Sequence, residues 1–152
     1  MTANVARPEK LERIVQRFKR RTDPKQRYQQ LLWYAQRLQP MPETGKTPDN
    51  KVPGCVSQVF VIADLDADGN VQYQADSDAQ LVKGLVALLL EGLNGLPPER
   101  ILQVTPDFIE ETGLQVSLTP SRANGFYNIF QTMQKKALAL QVATPATADS
   151  AE

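Results

Sequence analysis

The stretch VSQVFVIADLDADGNVQYQADSDAQLVKGLVALLLEGL, Val56 to Leu93, decides the fold class. Its opening, Val56 to Ala63, is rich in Val, Phe and Ile, and further on Val71, Tyr73 and Ala75 alternate with Gln72, Gln74 and Asp76. Between the two lies Asp66-Ala67-Asp68-Gly69-Asn70, a cluster of turn formers, so the segment predicts a β-hairpin with one face turned inward. Ser77 and Gln80 have the spacing of a capping box. Leu81 to Leu93 is apolar nearly all round, the pattern of a helix buried at the centre of a domain. Asn94 and Gly95 stop it. The turn cluster also matches the first half of a calcium loop, from Asp64 to Gly69. The bidentate Glu that such a loop requires would fall at Ala75, and the flanks read as strands, so the residues are read as a hairpin turn.

Working outward, residues 8 to 21 place Leu11, Ile14, Val15 and Phe18 on one stripe, with Lys10, Arg13, Arg17 and Arg20 elsewhere, which predicts a first helix. Asp23 and Pro24 supply an N-cap and a first-turn proline for a second, in which Tyr28, Leu31, Leu32, Ala35 and Leu38 keep helical spacing. Pro40, Pro42, Pro48 and Pro53, alongside Gly45, Asp49 and Asn50, exclude a helix or central strand. They predict a long loop that delivers the chain to Gly54 and Cys55, and loops of that length in a compact domain are often functional. After the central helix, Pro97 and Pro98 open a short helix through Leu102, and Thr105-Pro106-Asp107 opens another that Gly113 ends. Val116 and Leu118 suggest a short strand. Thr119 and Pro120 begin a long helix with Phe126, Ile129, Phe130, Met133, Ala137 and Leu140 on one face. Residues 142–152, rich in Ala, Thr, Ser and Pro, are expected to fray. The expected architecture is α+β: a small antiparallel β-sheet of about three strands packed by helices, in a single domain over residues 1–141.

Composition narrows the function classes. A chain of 152 residues, 41% hydrophobic and 22% charged, can bury a full core without a disulfide staple. Its longest apolar run, Leu85 to Leu90, is far too short for a membrane span, and the start lacks the apolar stretch of a secretory signal, so a soluble cytoplasmic protein is expected. Residues 1–46 carry eleven Lys and Arg against four Asp and Glu, and residues 47–152 carry six against thirteen. The basic end rides on an amphipathic helix, which reads as a solvated face and not as a nucleic-acid surface. There is no histidine, which removes Ser-His-Asp and Cys-His nucleophile pairs, histidine zinc sites and imidazole proton shuttles. One cysteine, Cys55, excludes an internal disulfide, a Cys-x-x-Cys pair and a cluster cage from this chain alone.

A lone cysteine is most often a small buried hydrophobe. Cys55, however, follows Pro53-Gly54 at the end of the polar loop and just before the strand, where a thiol is presented as well as packed, and Gly54 admits a close backbone approach. A phosphatase loop would need Arg at position 61, which is Val61. A nucleophile with no local base suits a reaction whose leaving group is already good, such as thiolate attack on a persulfide or disulfide sulfur. Between Val52 and Glu99 the only cation is Lys83, and between Ile101 and Gln134 the only one is Arg122. Arg122 in the first turn of a helix opposes the helix dipole, so it is better explained by an anionic partner; the alternative is a solvated surface arginine.

At Val52-Pro53-Gly54-Cys55-Val56-Ser57-Gln58-Val59-Phe60 the chain resembles the SufE family, sulfur acceptors that work beside a cysteine desulfurase in iron-sulfur cluster assembly. Asp76-Ser77-Asp78 with Val82-Lys83-Gly84-Leu85, and Ser121-Arg122-Ala123-Asn124-Gly125, are similar to two further segments of that family. The resemblance spans about residues 8 to 140. It implies a SufE/IscU-like fold with the cysteine on a loop tip, sheltered at rest and swinging out to the partner. It implies that Cys55 takes persulfide sulfur from a SufS-type, PLP-dependent cysteine desulfurase, stimulates that enzyme, and hands the sulfur to a SufBCD-type cluster scaffold. The cofactor would be the partner's, with none on this chain. Arg122 carries over as the arginine near the sulfur. Loop residues 50 to 57, Gly54, Val56 and Ser57 among them, are expected to bind the desulfurase, with Asp76 as the acid at the hairpin's end beside that loop. Ser117 stands where some bacterial members have His, and Phe60 where the family usually has Trp. Two other classes remain: a binding-only regulator of a desulfurase, and a cluster scaffold, for which one cysteine and no histidine supply too few ligands.

Overall fold

A computed structural model describes residues 7–55 and 57–143. Among these residues, seven helices and one hairpin enclose one hydrophobic core. Helix α1 (Glu9–Lys19) buries Leu11, Ile14, Val15 and Phe18, as its spacing predicts. Helix α2 (Pro24–Arg37) starts where expected, Asp23 accepting the Lys25 N–H at 3.0 Å. Its buried stripe differs from the expectation: Leu32 is exposed and Tyr34 is fully buried in its place, lying against Phe18 and bonded through its hydroxyl by Arg17. Trp33, beside it, is 41% exposed, with the guanidinium groups of Arg17 and Arg37 at 5.5 and 4.5 Å from its ring.

The hairpin pairs β1 (Val59–Leu65) with β2 (Val71–Ser77), antiparallel, from Val59 opposite Ser77 to Leu65 opposite Val71. Its turn is built by Asp66, whose carboxylate accepts the N–H groups of Asp68 and Asn70 and the amide of Gln72. The outer edge of β2 is covered by the link after α3 (Gln80–Leu93): Val71 exchanges hydrogen bonds with Leu96 and Gly95, and Tyr73 donates to Asn94. Helix α3 is the centre, buried almost all round and touching α1, α2, β2 and the last helix. At its crossing with α2 the backbones meet. A methyl on Gly84 would lie 2.8 Å from the carbonyl carbon of Leu31 and closer still to its oxygen. Then come α4 (Pro98–Leu102), α5 (Asp107–Glu111), α6 (Leu114–Ser117) and the long α7 (Pro120–Ala143), which buries Phe126, Ile129, Phe130, Met133 and Ala137. Among the described residues no helix is long and apolar enough to cross a membrane.

The fold class is the α+β arrangement expected, with four local corrections. The strand predicted at Val116 and Leu118 is the helical turn α6, closed by Leu118 N–H onto Leu114 at 2.8 Å. Val116 is 82% exposed, so its apolar character buries nothing. Ser77 does not cap α3, because it still pairs in β2 opposite Val59; Ala79 occupies the N-cap position. The Pro-rich loop contains two short 3-10 turns, Glu43–Gly45 and Pro48–Asn50, before Lys51 bridges to Phe60. Helix α7 runs on through Val142 and Ala143, while the rest of the tail expected to fray lies outside the described residues.

Candidate functional site

Cys55 sits where the zipped end of the Pro-rich loop meets the start of α7. Val52 N–H donates to the carbonyl of Val59 at 2.8 Å, which closes the base of the loop that carries Cys55. Gly54 adopts φ of +77°, a left-handed turn that L side chains disfavour, and so aims the next residue at the helix. The Cys55 thiol lands over the buried Gly125, donating a long, weak hydrogen bond to its carbonyl at 3.9 Å. A methyl on Gly125 would stand 3.7 Å from the sulfur, an ordinary contact, so the thiol does not press on the helix.

Around the sulfur is a hollow of about 310 Å³, lined by Cys55, Ser57, Val82, Thr119, Ser121, Arg122 and Gly125. Three of these open α7. Thr119 caps it, accepting the Arg122 N–H at 3.4 Å, so the start of a long helix, with Arg122 in its first turn, lines the same hollow as the thiol. Arg122 is exposed and has no carboxylate partner among the described residues. In this resting position burial pushes the Cys55 thiol up from its ordinary range, so it is held as neutral S–H. A neutral, half-covered thiol resists oxidation and is a poor nucleophile until it moves or meets a cation.

The structure brings Cys55, Ser57 and Arg122 to one hollow, while Gly54, the residue before Cys55, does not line it. It does not bring Asp76 there. Asp76 accepts from Lys46 at 3.2 Å, Lys83 at 3.5 Å and the Ser77 N–H at 2.8 Å. Burial alone would raise its pKa, but these donors outweigh it and hold the carboxyl below its usual range. Asp76 therefore stitches the Pro-rich loop to α3. The same stitch occupies Lys83, the other cation weighed for the thiol. Val56, also expected in partner binding, lies outside the described residues.

Sequence reasoning missed Asn128. Its amide donates to the Gly54 carbonyl at 3.1 Å, and a methyl on Gly54 would lie 2.7 Å from that nitrogen. The close approach that Gly54 permits is thus by a side-chain amide and not by a second backbone. A polar Asn set between Phe126 and the buried pair Ile129 and Phe130 was the available signal. It pointed to nothing until the fold set it beside a residue 74 positions away.

Comparison with known proteins finds a family match over most of the chain. The family model described as "SufE: Fe-S metabolism associated domain" matches residues 12–137. The chain is 68% identical over 140 residues to an uncharacterized SufE-like protein of Synechocystis, covering 92% of this chain and 87% of that one. It is 39% identical over 129 residues to the cysteine desulfuration protein SufE of Plasmodium vivax, covering 82% of this chain and 51% of the relative. The solution structure of a hypothetical protein from Thermus thermophilus superposes with a TM-score of 0.76 at 31% identity, over 89% of this chain and 98% of that one.

Proposed function

The chain belongs to the SufE family, and from that premise we propose that Cys55 is the acceptor of sulfane sulfur from a cysteine desulfurase. The observation that carries the proposal is the placement of the chain's one thiol, on a closed loop tip over the capped, arginine-bearing start of α7.

The step is an exchange at sulfur. Cys55 leaves Gly125, loses its proton to the medium or to a group of the partner, and its thiolate attacks the outer sulfur of the partner's cysteine persulfide. The S–S bond in the partner breaks as the Cys55 S–S bond forms. The products are Cys55-S-SH and the partner's thiolate, with no net oxidation or reduction. Arg122 and the helix start favour the anionic forms that appear during attack and after loading, since a persulfide is more acidic than a thiol. Val82 and Gly125 give the carried sulfur an apolar wall. The desulfurase is of the SufS type and holds its own PLP. Removing its persulfide would stimulate it, and the sulfur would pass on to a SufBCD-type scaffold.

The test is intact-mass spectrometry after mixing the protein with a cysteine desulfurase and L-cysteine. The wild type should gain about 32 Da, one sulfur, and Cys55→Ser should gain none. Loading of the Ser variant would sink the assignment to Cys55, and undiminished stimulation of the desulfurase by a Ser variant that stays unloaded would replace the acceptor with a binding-only regulator.

A further inference from the structure

The loop that carries Cys55 is held in two unequal ways. Its base is zipped into the sheet: Val52 donates to Val59, Gln58 N–H donates to Asp78 at 3.0 Å, and Asp78 N–H donates back to the Gln58 carbonyl at 3.3 Å. Its tip, among the described residues, is tied by two hydrogen bonds, both to α7. One is the 3.9 Å contact from the thiol to Gly125, long and from a weak donor. The other is the 3.1 Å bond from Asn128 to the Gly54 carbonyl. The Asn128 side chain makes no other hydrogen bond among the described residues, and its amide fills the space that a side chain at position 54 would need.

We propose that Asn128 is a positioning residue, a latch that holds Gly54, and with it Cys55, against α7 and so sets how often the thiol is presented. The inference rests on Cys55 being the sulfur acceptor and names the side chain that governs its release. The base bonds lie outside the latch, so the tip can leave α7 without unzipping β1. A single neutral bond to a backbone carbonyl is the right size for this purpose: strong enough to keep the resting state dominant, weak enough for a docking partner to replace.

The experiment measures the rate at which iodoacetamide alkylates Cys55 in the full chain at one fixed pH, for wild type, Asn128→Ala and Asn128→Asp. Asn128→Ala should react about fivefold faster, the effect of losing one such bond. Asn128→Asp, the same shape without a donor at neutral pH, should react at least as fast. Both should keep the wild-type thermal midpoint to within a few degrees, which a merely structural residue would not. With the desulfurase, the half-saturating concentration of the Ala variant should fall by the same factor at unchanged maximal rate, because a larger fraction is already competent to dock. Unchanged alkylation in Asn128→Ala overturns the latch. So does wild-type behaviour of Asn128→Asp, which would show that shape and not donation holds the tip. Faster alkylation of both variants with no sulfur ever loaded on Cys55 would sink the acceptor role and leave the latch standing.

Discussion

Two helical glycines mark two close approaches in this molecule, and they differ in slack. At Gly84 the backbone of α3 lies on the Leu31 carbonyl of α2, with no room for a single carbon. At Gly125 the neighbour of α7 is the Cys55 sulfur, and a methyl would meet it at an ordinary 3.7 Å. The first contact joins two rigid backbones and fixes how the scaffold crosses. The second joins a rigid helix to the tip of a loop and leaves room between them. The protein is tight where it must keep its shape and loose where a group has to depart.

Three substitutions test that contrast. Gly84→Ala carries the largest expected effect. Its methyl would gain about 1 kcal/mol of helix propensity, but neither backbone can turn aside, so a net loss of about 2–3 kcal/mol should appear in urea unfolding. Next, Arg122→Ala should slow sulfur loading roughly tenfold, about the worth of one charge-assisted contact, while its unfolding midpoint stays at the wild-type value because the side chain is exposed. A variant that unfolds early would make Arg122 part of the scaffold and erase the division between the regions. Smallest is Gly125→Ala, the same chemical change as the first with the opposite sign. Removing a mid-helix glycine where space exists should stabilise by up to about 1 kcal/mol. A loss as large as that of Gly84→Ala would mean that the sulfur contact has no slack.

The scaffold was largely legible in the sequence because its signals are long. Leu11, Ile14, Val15 and Phe18 repeat over two turns, and the thirteen positions from Leu81 to Leu93, charged only at Lys83 and Glu91, admit only a central helix. Short signals misled. Val116 and Leu118 alternate for three residues, too few to separate a strand from a turn of helix. The Ser77 and Gln80 spacing is genuine, but the sheet claims Ser77 first. In the site, Cys55 and Arg122 stood out because each is the sole residue of its kind in its region. Asp76 stands at the hairpin's end as read, opposite Phe60, but it lines no part of the Cys55 hollow: Lys46, from a proline-rich stretch with no helical or strand signal, and Lys83 engage its carboxylate. Asn128 was illegible because its contact exists only once the loop that carries Cys55 has folded onto α7.

Trp33, the chain's one tryptophan, lies near the end of α2 with the guanidinium groups of Arg17 in α1 and Arg37 in α2 close to its ring, and it lines no part of the Cys55 hollow. Its fluorescence is therefore a gauge of the helical scaffold, blind to movements of the loop tip. Emission from Trp33 and alkylation at Cys55 form two independent clocks in an unmodified sample, one for unfolding and one for release of the thiol, and the interval between them measures how far the tip moves on its own.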